Sequence, residues 1–329
     1  MASNEKRALA IFYEHPDWFR PLFAELDRRG VPYDRIHASR HRFDPAAREP
    51  THEVVFNRIS PSAYLRGNAH AIFYTHEYLA HLERQGVRVI NGTRAWATET
   101  SKARQLALLQ SVGVPSPRSR VINSIAEATE AAGGFRFPIM IKPNIGGSGA
   151  GVRRFDTAAG LAAAASDPYE LGIDHTALVQ EFIPPAAGRI VRVEVLNGRY
   201  LYAIRIYTTG ETFNLCPANV CKGVDATALE RAACPIDEPR NGLRVESYMP
   251  PREIIEAVER ITQQAGIEVG GVEYFIDERD GQLYFYDINA LSNFVAEPVR
   301  VLGFDPFARL VDWLEDEIAR TSALVQEVA

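Results

Sequence analysis

The spacing of apolar residues changes once along this chain, at 184–188 (PPAAG), and that change limits the possible folds more than any other feature of the sequence. Upstream, short apolar runs alternate with helix-length segments: strand 8–14 (ALAIFYE), helix 16–29, strand 34–38, strand 53–59 (EVVFNRI), helix 70–84 and strand 87–91. Strands separated by helices predict a parallel, doubly wound α/β layer, complete near residue 92. A helix capped by Thr98 or Thr100 and ended by Gly113 and Pro115 then opens a second unit. That unit runs through strand 118–122, helix 124–132, strand 138–144 (PIMIKPN), strand 152–155, helix 157–166 and strand 177–183 (ALVQEFI). Beyond 188 the period becomes two, over 189–196, 199–207, 270–277 and 282–290, with a helix at 251–265. A last amphipathic helix, 305–320, sets Phe307, Leu310, Val311, Leu314 and Ile318 on one face. The expected organisation is three units, 1–95, 96–183 and 184–329, α/β in the first half and α+β in the last.

With 329 residues, 46% hydrophobic and 24% charged, the chain has room for several cores and reads as globular. Nothing approaches the roughly 18 consecutive apolar residues that span a bilayer, and the N-terminus lacks a secretory cleavage pattern, so a soluble, cytoplasmic protein is expected. A net charge of −6 argues against a nucleic-acid partner. The basic cluster of His37, Arg40, His41 and Arg42 reads as a solvated loop or as a greeting for an anionic substrate. Cys216, Cys221 and Cys234 make neither an even disulfide set nor a CxxC pair and read as free thiols. The eight histidines are scattered, and no Ser-His-Asp or Cys-His arrangement stands out. Of 36 basic residues only Lys6, Lys102, Lys142 and Lys222 are lysine. Against that arginine background, internal lysines suggest places where a compact ammonium is required.

Two stretches carry chemistry. In FPIMIKPNIGGSGAGV, Gly146, Gly147, Gly149 and Gly151, with Ser148 and Ala150 between them, strip the loop of side chains so that backbone N–H groups can approach an anion. The pattern is neither GxxxxGK[ST] nor a GxGxxG that opens a helix. Lys142, four residues upstream, adds a charge for phosphate oxygens. In GGVEYFIDERDGQLYFYDINALSNF, two apolar runs flank a turn ending Asp280-Gly281, a hairpin signal. Asp287 and Asn289 share a face of one strand. An odd-numbered loop such as Arg279-Asp280-Gly281 brings Glu273 opposite Asp287. Two adjacent carboxylates on an apolar hairpin repel unless a cation lies between them, and this donor set suits Mg²⁺. The alternative is that these acids line a solvated sheet face.

In this order and spacing the segments resemble the ATP-grasp superfamily, in particular ligases of the RimK, D-alanine:D-alanine ligase and glutathione synthetase types. VVFNRISPS is similar to the arginine-bearing strand end of that family, NGTRAWATETSKARQLALLQSVGVPSP to its linker helix, FPIMIKPNIGGSGAGV to its lysine strand and flap, LVQEFI to its adenine hinge and YDINALSN to its terminal metal strand.

The resemblance implies an ATP-grasp fold behind a small α/β domain and an ATP-dependent carboxylate-amine ligase working through an acyl phosphate. It implies Mg²⁺, two ions with Mn²⁺ able to replace them, small carboxylate and amine substrates, and a homo-oligomer, dimer or tetramer. By position, Lys102 and Lys142 meet the phosphates and Gly146 to Gly151 close over them. Gln180, Glu181, Phe182 and Ile183 form the hinge over adenine. Arg205, Asn219 and Lys222 lie near the transferred phosphate, so three of the four lysines fall at the site. Glu273, Asp287 and Asn289 hold the metal, while Arg58, Arg192, Ser292 and Asn293 fall in the substrate region. The chain departs from the family in having Pro184-Pro185 where an acid for ribose is usual, and Ile190 where an Asp precedes the arginine. Glu194 is a candidate replacement. The scaffold also serves phosphotransferases, and a nucleotide-binding regulator is the non-catalytic alternative.

Overall fold

A computed structural model of the chain describes residues 7–15, 17–147, 149–165, 171–207 and 244–328. Strands β1 (Arg7–Tyr13), β2 (Asp34–His37), β3 (His52–Arg58) and β4 (Arg88–Ile90) form a parallel sheet in the order β2-β1-β3-β4. Consecutive residues Leu9 to Phe12 and Val54 to Phe56 are all buried, as a parallel sheet covered on both faces requires. Because β2 and β3 flank β1, the C-terminal ends of β1 and β3 diverge into a switch-point crevice, the usual ligand position in such sheets. Glu14, His15, Arg58 and Ser60 stand there.

Helix α1 (Arg20–Arg29) starts later than the expected residue 16. Pro21 lacks the N–H that a second helical turn needs and fits only a first turn. Helix α2 is Ala69–Arg84. His41, from the basic cluster, packs among Phe12, Tyr74 and Tyr78, where burial pulls it down to about 4.

Two helices follow, α3 (Thr93–Glu99) and α4 (Lys102–Val112). The cap of α4 is Ser101, whose Oγ accepts from Arg104 N, and not Thr98 or Thr100. Those threonines instead donate back to the Arg94 and Trp96 carbonyls of α3. An antiparallel sheet, β5 (Ser119–Ile122), β6 (Ile139–Pro143), β7 (Arg153–Phe155) and β8 (Ala177–Glu181), comes next in the order β5-β8-β6-β7. It packs with α5 (Ala128–Ala131) and α6 (Ala158–Ala165) around Ile139, Phe155, Leu161 and Val179. The first alanine-rich segment is thus one α-turn behind a 3-10 turn, Ile125–Glu127, shorter than expected.

The third sheet holds β9 (Arg189–Leu196), β10 (Arg199–Tyr207), β11 (Arg244–Tyr248), β12 (Val269–Ile276) and β13 (Leu283–Asn289), antiparallel in the order β11-β10-β9-β12-β13. Its Val193, Val195 and Val272 bury α7 (Arg252–Ala265) through Val258 and Ile261. The opposite face, with Ile190, Ile204 and Phe275, merges with Leu9, Ile11 and Phe56 of the first sheet. After α8 (Pro298–Leu302), the long α9 (Pro306–Val328) lays Phe307, Leu310, Val311 and Leu314 into this shared core, with Ile318 packed at its margin. Arg29 of α1 pairs with Asp312 at 2.5 Å, tying the chain's end back to its first layer. Among the described residues no helix is long and apolar enough to cross a membrane.

Candidate active site

Glu273 pairs with Asp287 across the β12–β13 hairpin, but not through an odd-numbered turn. Ile276 opposes Leu283 and Phe275 opposes Tyr284, so the connection is even, and a bulge at Tyr286 supplies the missing residue of register. The bulge sends the Tyr286 hydroxyl onto Glu273 Oε2, where it donates a hydrogen bond. Asn289 Nδ2 lies 3.5 Å from Asp287 Oδ2. Burial pushes the Glu273 carboxyl up to about 7, Arg192 opposing the rise and Asp287 adding to it. Two carboxylates and an amide oxygen on one sheltered face are hard donors, and a divalent cation would offset their repulsion. The residues present therefore fit Mg²⁺.

Lys102 and Lys142 approach this hairpin from two other elements. Lys102, in the first turn of α4, donates from Nζ to Asp287 Oδ1. Burial depresses this ammonium, but Asp287 and Glu99 more than offset that and leave it raised. Lys142, on β6, places Nζ 5.7 Å from the centre of the Tyr286 ring. Burial and then the Lys102 charge pull it down to about 8. Asn144 ties the two lysine-bearing segments together: its carbonyl accepts from Lys102 N (3.2 Å) and its Oδ1 from Ser101 Oγ (3.1 Å) and Ala103 N (3.0 Å).

Behind the carboxylates lies a buried arginine knot. Arg192 donates from Nε to Glu194 Oε1 (2.6 Å), from Nη2 to Ser292 Oγ (2.8 Å) and from Nη1 to Glu273 Oε1 (3.4 Å). Ser292 Oγ in turn donates to Glu194 Oε1 at 2.6 Å. Glu194 thus meets Arg192 directly, while Ile190 is core. Arg58, at the switch-point crevice, donates from Nη2 to the Ser292 carbonyl, and its Cζ lies 5.2 and 5.0 Å from the Phe19 and Phe56 ring centres. Its Nε and Nη1 are buried with no hydrogen-bond partner among the described residues, and burial pulls the group down to about 10. Asn293 is half-buried next to Ser292.

The glycine loop lies against the first layer. A Cβ on Gly147 would stand 2.8 Å from Ser62 Cβ, and one on Gly151, at φ +72, 2.8 Å from Pro143 Cγ. Gly149 also has positive φ, 70. At the hinge, the Glu181 carboxylate turns outward to accept from Arg136 N (2.9 Å), and Phe182 N donates to the Pro138 carbonyl (2.9 Å). Phe182 lies under Arg154, 4.6 Å from ring centre to Cζ. Gln180 donates to Ser119 Oγ at 2.8 Å, while its buried Oε1 has no partner among the described residues, leaving an acceptor at the hinge. Ile183 is buried beside it. Pro184 and Pro185 join the far hairpin loop, Glu278 N donating to the Pro184 carbonyl at 3.0 Å.

Arg205 requires correction. It is opposite Val191, whereas Ile204 is opposite Arg192, so strand alternation puts Arg205 on the other face of the sheet from Arg192, Glu273 and Asp287. There it lies 3.7 Å from the Tyr248 ring centre and 3.6 Å from Glu246 Oε1. Ser148, Asn219 and Lys222 lie outside the described residues. Sequence reasoning missed Glu99: it is only 7% exposed, pushed up to about 7 by burial, and accepts from Ala290 N just beyond the hairpin. An acid three residues before Lys102 was the only available signal.

Residues 99–230 match the family model of the RimK-like ATP-grasp domain. A D-alanine–D-alanine ligase of Pseudomonas putida (strain GB-1) is 25% identical over 226 residues, 67% of this chain, which spans 65% of that relative's length. A probable alpha-L-glutamate ligase of Teredinibacter turnerae is 31% identical over 165 residues, covering 49% of this chain and 52% of that one. The structure of the ATP-grasp ligase PsnB complexed with a phosphomimetic variant of minimal precursor, Mg and ADP superposes with a TM-score of 0.64 at 19% identity, over 95% of this chain and 99% of that chain.

Proposed function

We propose that this chain, which has the ATP-grasp fold and a match to the RimK-like ATP-grasp domain, is an ATP-dependent ligase of that superfamily joining a small carboxylate to an amine, with ADP and phosphate as by-products. The observation that carries this reading is the meeting of Lys102, Lys142, Glu273 and Asp287 in one charge network at the β12–β13 hairpin.

In this account ATP phosphorylates the carboxylate, and the amine attacks the acyl phosphate carbonyl and expels phosphate. Lys102 and Lys142 bind the polyphosphate and offset its charge as the terminal phosphoryl moves. Lys142, already pulled down to about 8, gains from an anionic partner and binds it as the ammonium. Bound Mg²⁺, held by Glu273, Asp287 and Asn289, would supply the charge that draws electron density from the phosphoryl oxygens. Arg192 keeps Glu273 and Glu194 in place, and the glycine loop, set against Ser62, keeps water from the reacting carbonyl. Gln180 Oε1 and the hinge backbone receive adenine. Arg58, with Ser292 and Asn293, faces the substrates from the crevice.

Purified protein incubated with ATP, Mg²⁺ and pools of amino acids or short peptides tests the proposal. ADP, phosphate and a new amide identified by mass spectrometry support it. A phosphorylated product, or tight nucleotide binding without ADP, overturns it.

A further inference from the structure

β13 is the edge strand of its sheet, so the N–H and C=O groups on its outer side have no neighbouring strand to bond. Three side chains from the segment that joins the first and second sheets occupy that edge. The Gln105 carboxamide reads Ile288 on both sides, Nε2 donating to the Ile288 carbonyl (2.8 Å) and Oε1 accepting from Ile288 N (3.2 Å). Glu99 accepts from Ala290 N, and Asn91 Nδ2 donates to the Ala290 carbonyl (2.7 Å). Asn91 also accepts from Val269 N (3.2 Å) and donates to the Val269 carbonyl (2.6 Å), so it spans β12 and the end of β13. Pro115 extends the row with its carbonyl, which accepts from Phe285 N at 2.9 Å. All three side chains are buried, Asn91 to 1% exposure, Gln105 to 3% and Glu99 to 7%.

The bonded residues, Ile288 and Ala290, alternate with Asp287 and Asn289. In a strand, fixing the backbone of one residue fixes the direction of its neighbours' side chains. We propose that Asn91, Glu99 and Gln105 act as a surrogate sixth strand, positioning residues that set the register and tilt of Asp287 and Asn289 for the divalent cation. This rests on the cation site proposed above. A clamp is needed here because the Tyr286 bulge breaks the ladder on the inner side of the same strand, immediately before Asp287. The same segment carries Lys102, so one rigid linker aligns both the ammonium and the metal ligands on which it acts.

Gln105 gives the cleanest test, because it is neutral and its removal changes no charge at the site. Gln105→Met keeps the length of the side chain and deletes its bonds. We expect Mn²⁺ binding in the presence of ADP, followed by electron paramagnetic resonance of free Mn²⁺, to weaken about tenfold. Amide exchange at Ile288 should quicken, while ADP binding without metal stays unchanged. Gln105→Leu, which likewise deletes the bonds without adding charge, should weaken binding to a similar extent, and it serves if the Met variant does not fold. Wild-type Mn²⁺ affinity in both variants, with Ile288 exchange accelerated, would overturn the inference but leave the cation site standing. Failure of the unmutated protein to bind Mn²⁺ with ADP would overturn both.

Discussion

Lys102 places its ammonium on the Asp287 carboxylate, so a phosphate-binding cation and a metal-binding anion of the proposed reaction neutralise one another. Each must turn to a new partner when Mg²⁺-nucleotide enters. Removing either should therefore impair turnover without exposing apolar core. Lys102→Ala and Asp287→Ala should each lower the rate of ADP release by at least about 100-fold, the scale of losing one electrostatic contact to a transition state. Circular dichroism melting close to that of the wild type would show that both variants remain folded. Undiminished turnover in both would remove the basis of the assignment.

The raised carboxyls give a pH dependence of definite sign. Burial holds Glu273 and Glu99 at about 7 in the folded chain, above their ordinary value of 4.5, so the native state binds more protons than the unfolded one between those limits. Their contribution to stability is full below pH 4.5 and is lost as pH rises through 7. Without metal, the melting temperature should fall across that window, and Glu273→Gln should flatten the slope. Mg²⁺-ADP requires ionised Glu273, so its stabilising effect should grow from pH 6 to pH 8. A melting temperature that climbs over the same range without metal would contradict these shifts.

The approach of the glycine loop to the first layer predicts a compensating pair. Gly147→Ala pushes a methyl to 2.8 Å from Ser62 Cβ, so loop or layer must move. The KM for ATP should rise severalfold. Adding Ser62→Gly removes the opposing carbon and should recover most of the loss. Gly151→Ala meets both Pro143 and a positive φ of 72, so Ser62→Gly should not rescue it. Equal rescue of the two would contradict the contact.

Arg192 satisfies Glu194, Glu273 and Ser292 at once in a buried setting. Arg192→Met leaves two buried acids without their cation, which should cost about 3–5 kcal/mol. Urea unfolding measures it. Arg205→Met, on the other face and next to Glu246, should cost far less in stability and leave the rate of ADP release near wild type. A large loss of turnover in Arg205→Met would refute its placement.

Much of this architecture was legible because period and punctuation are local properties. Alternating strands and helices gave the parallel layer, and Asp280-Gly281 marked the hairpin, with Gly281 at φ 73. Parity was not legible. In RYLYAIRIY both faces of the strand are apolar, so no pattern says which way Arg205 points, and a register shift between Tyr200 and Tyr202 resets the alternation. The same blindness hid the Tyr286 bulge, where the pairing of Glu273 with Asp287 was anticipated but attributed to the turn. β11, RVESY, has weak strand character of its own and exists through pairing with β10. Glu99, Gln105 and Asn91 were invisible for another reason: a polar residue on a helix or in a turn reads as solvent-facing until tertiary structure brings a strand edge to it.

The most direct test is a crystal structure with Mg²⁺ and a non-hydrolysable ATP analogue. The account predicts metal density bounded by Glu273, Asp287 and Asn289, the glycine loop over the phosphates, and the Lys102 ammonium transferred from Asp287 to a phosphate oxygen. A nucleotide bound with Lys102 still on Asp287 and no ion between the hairpin acids would contradict it.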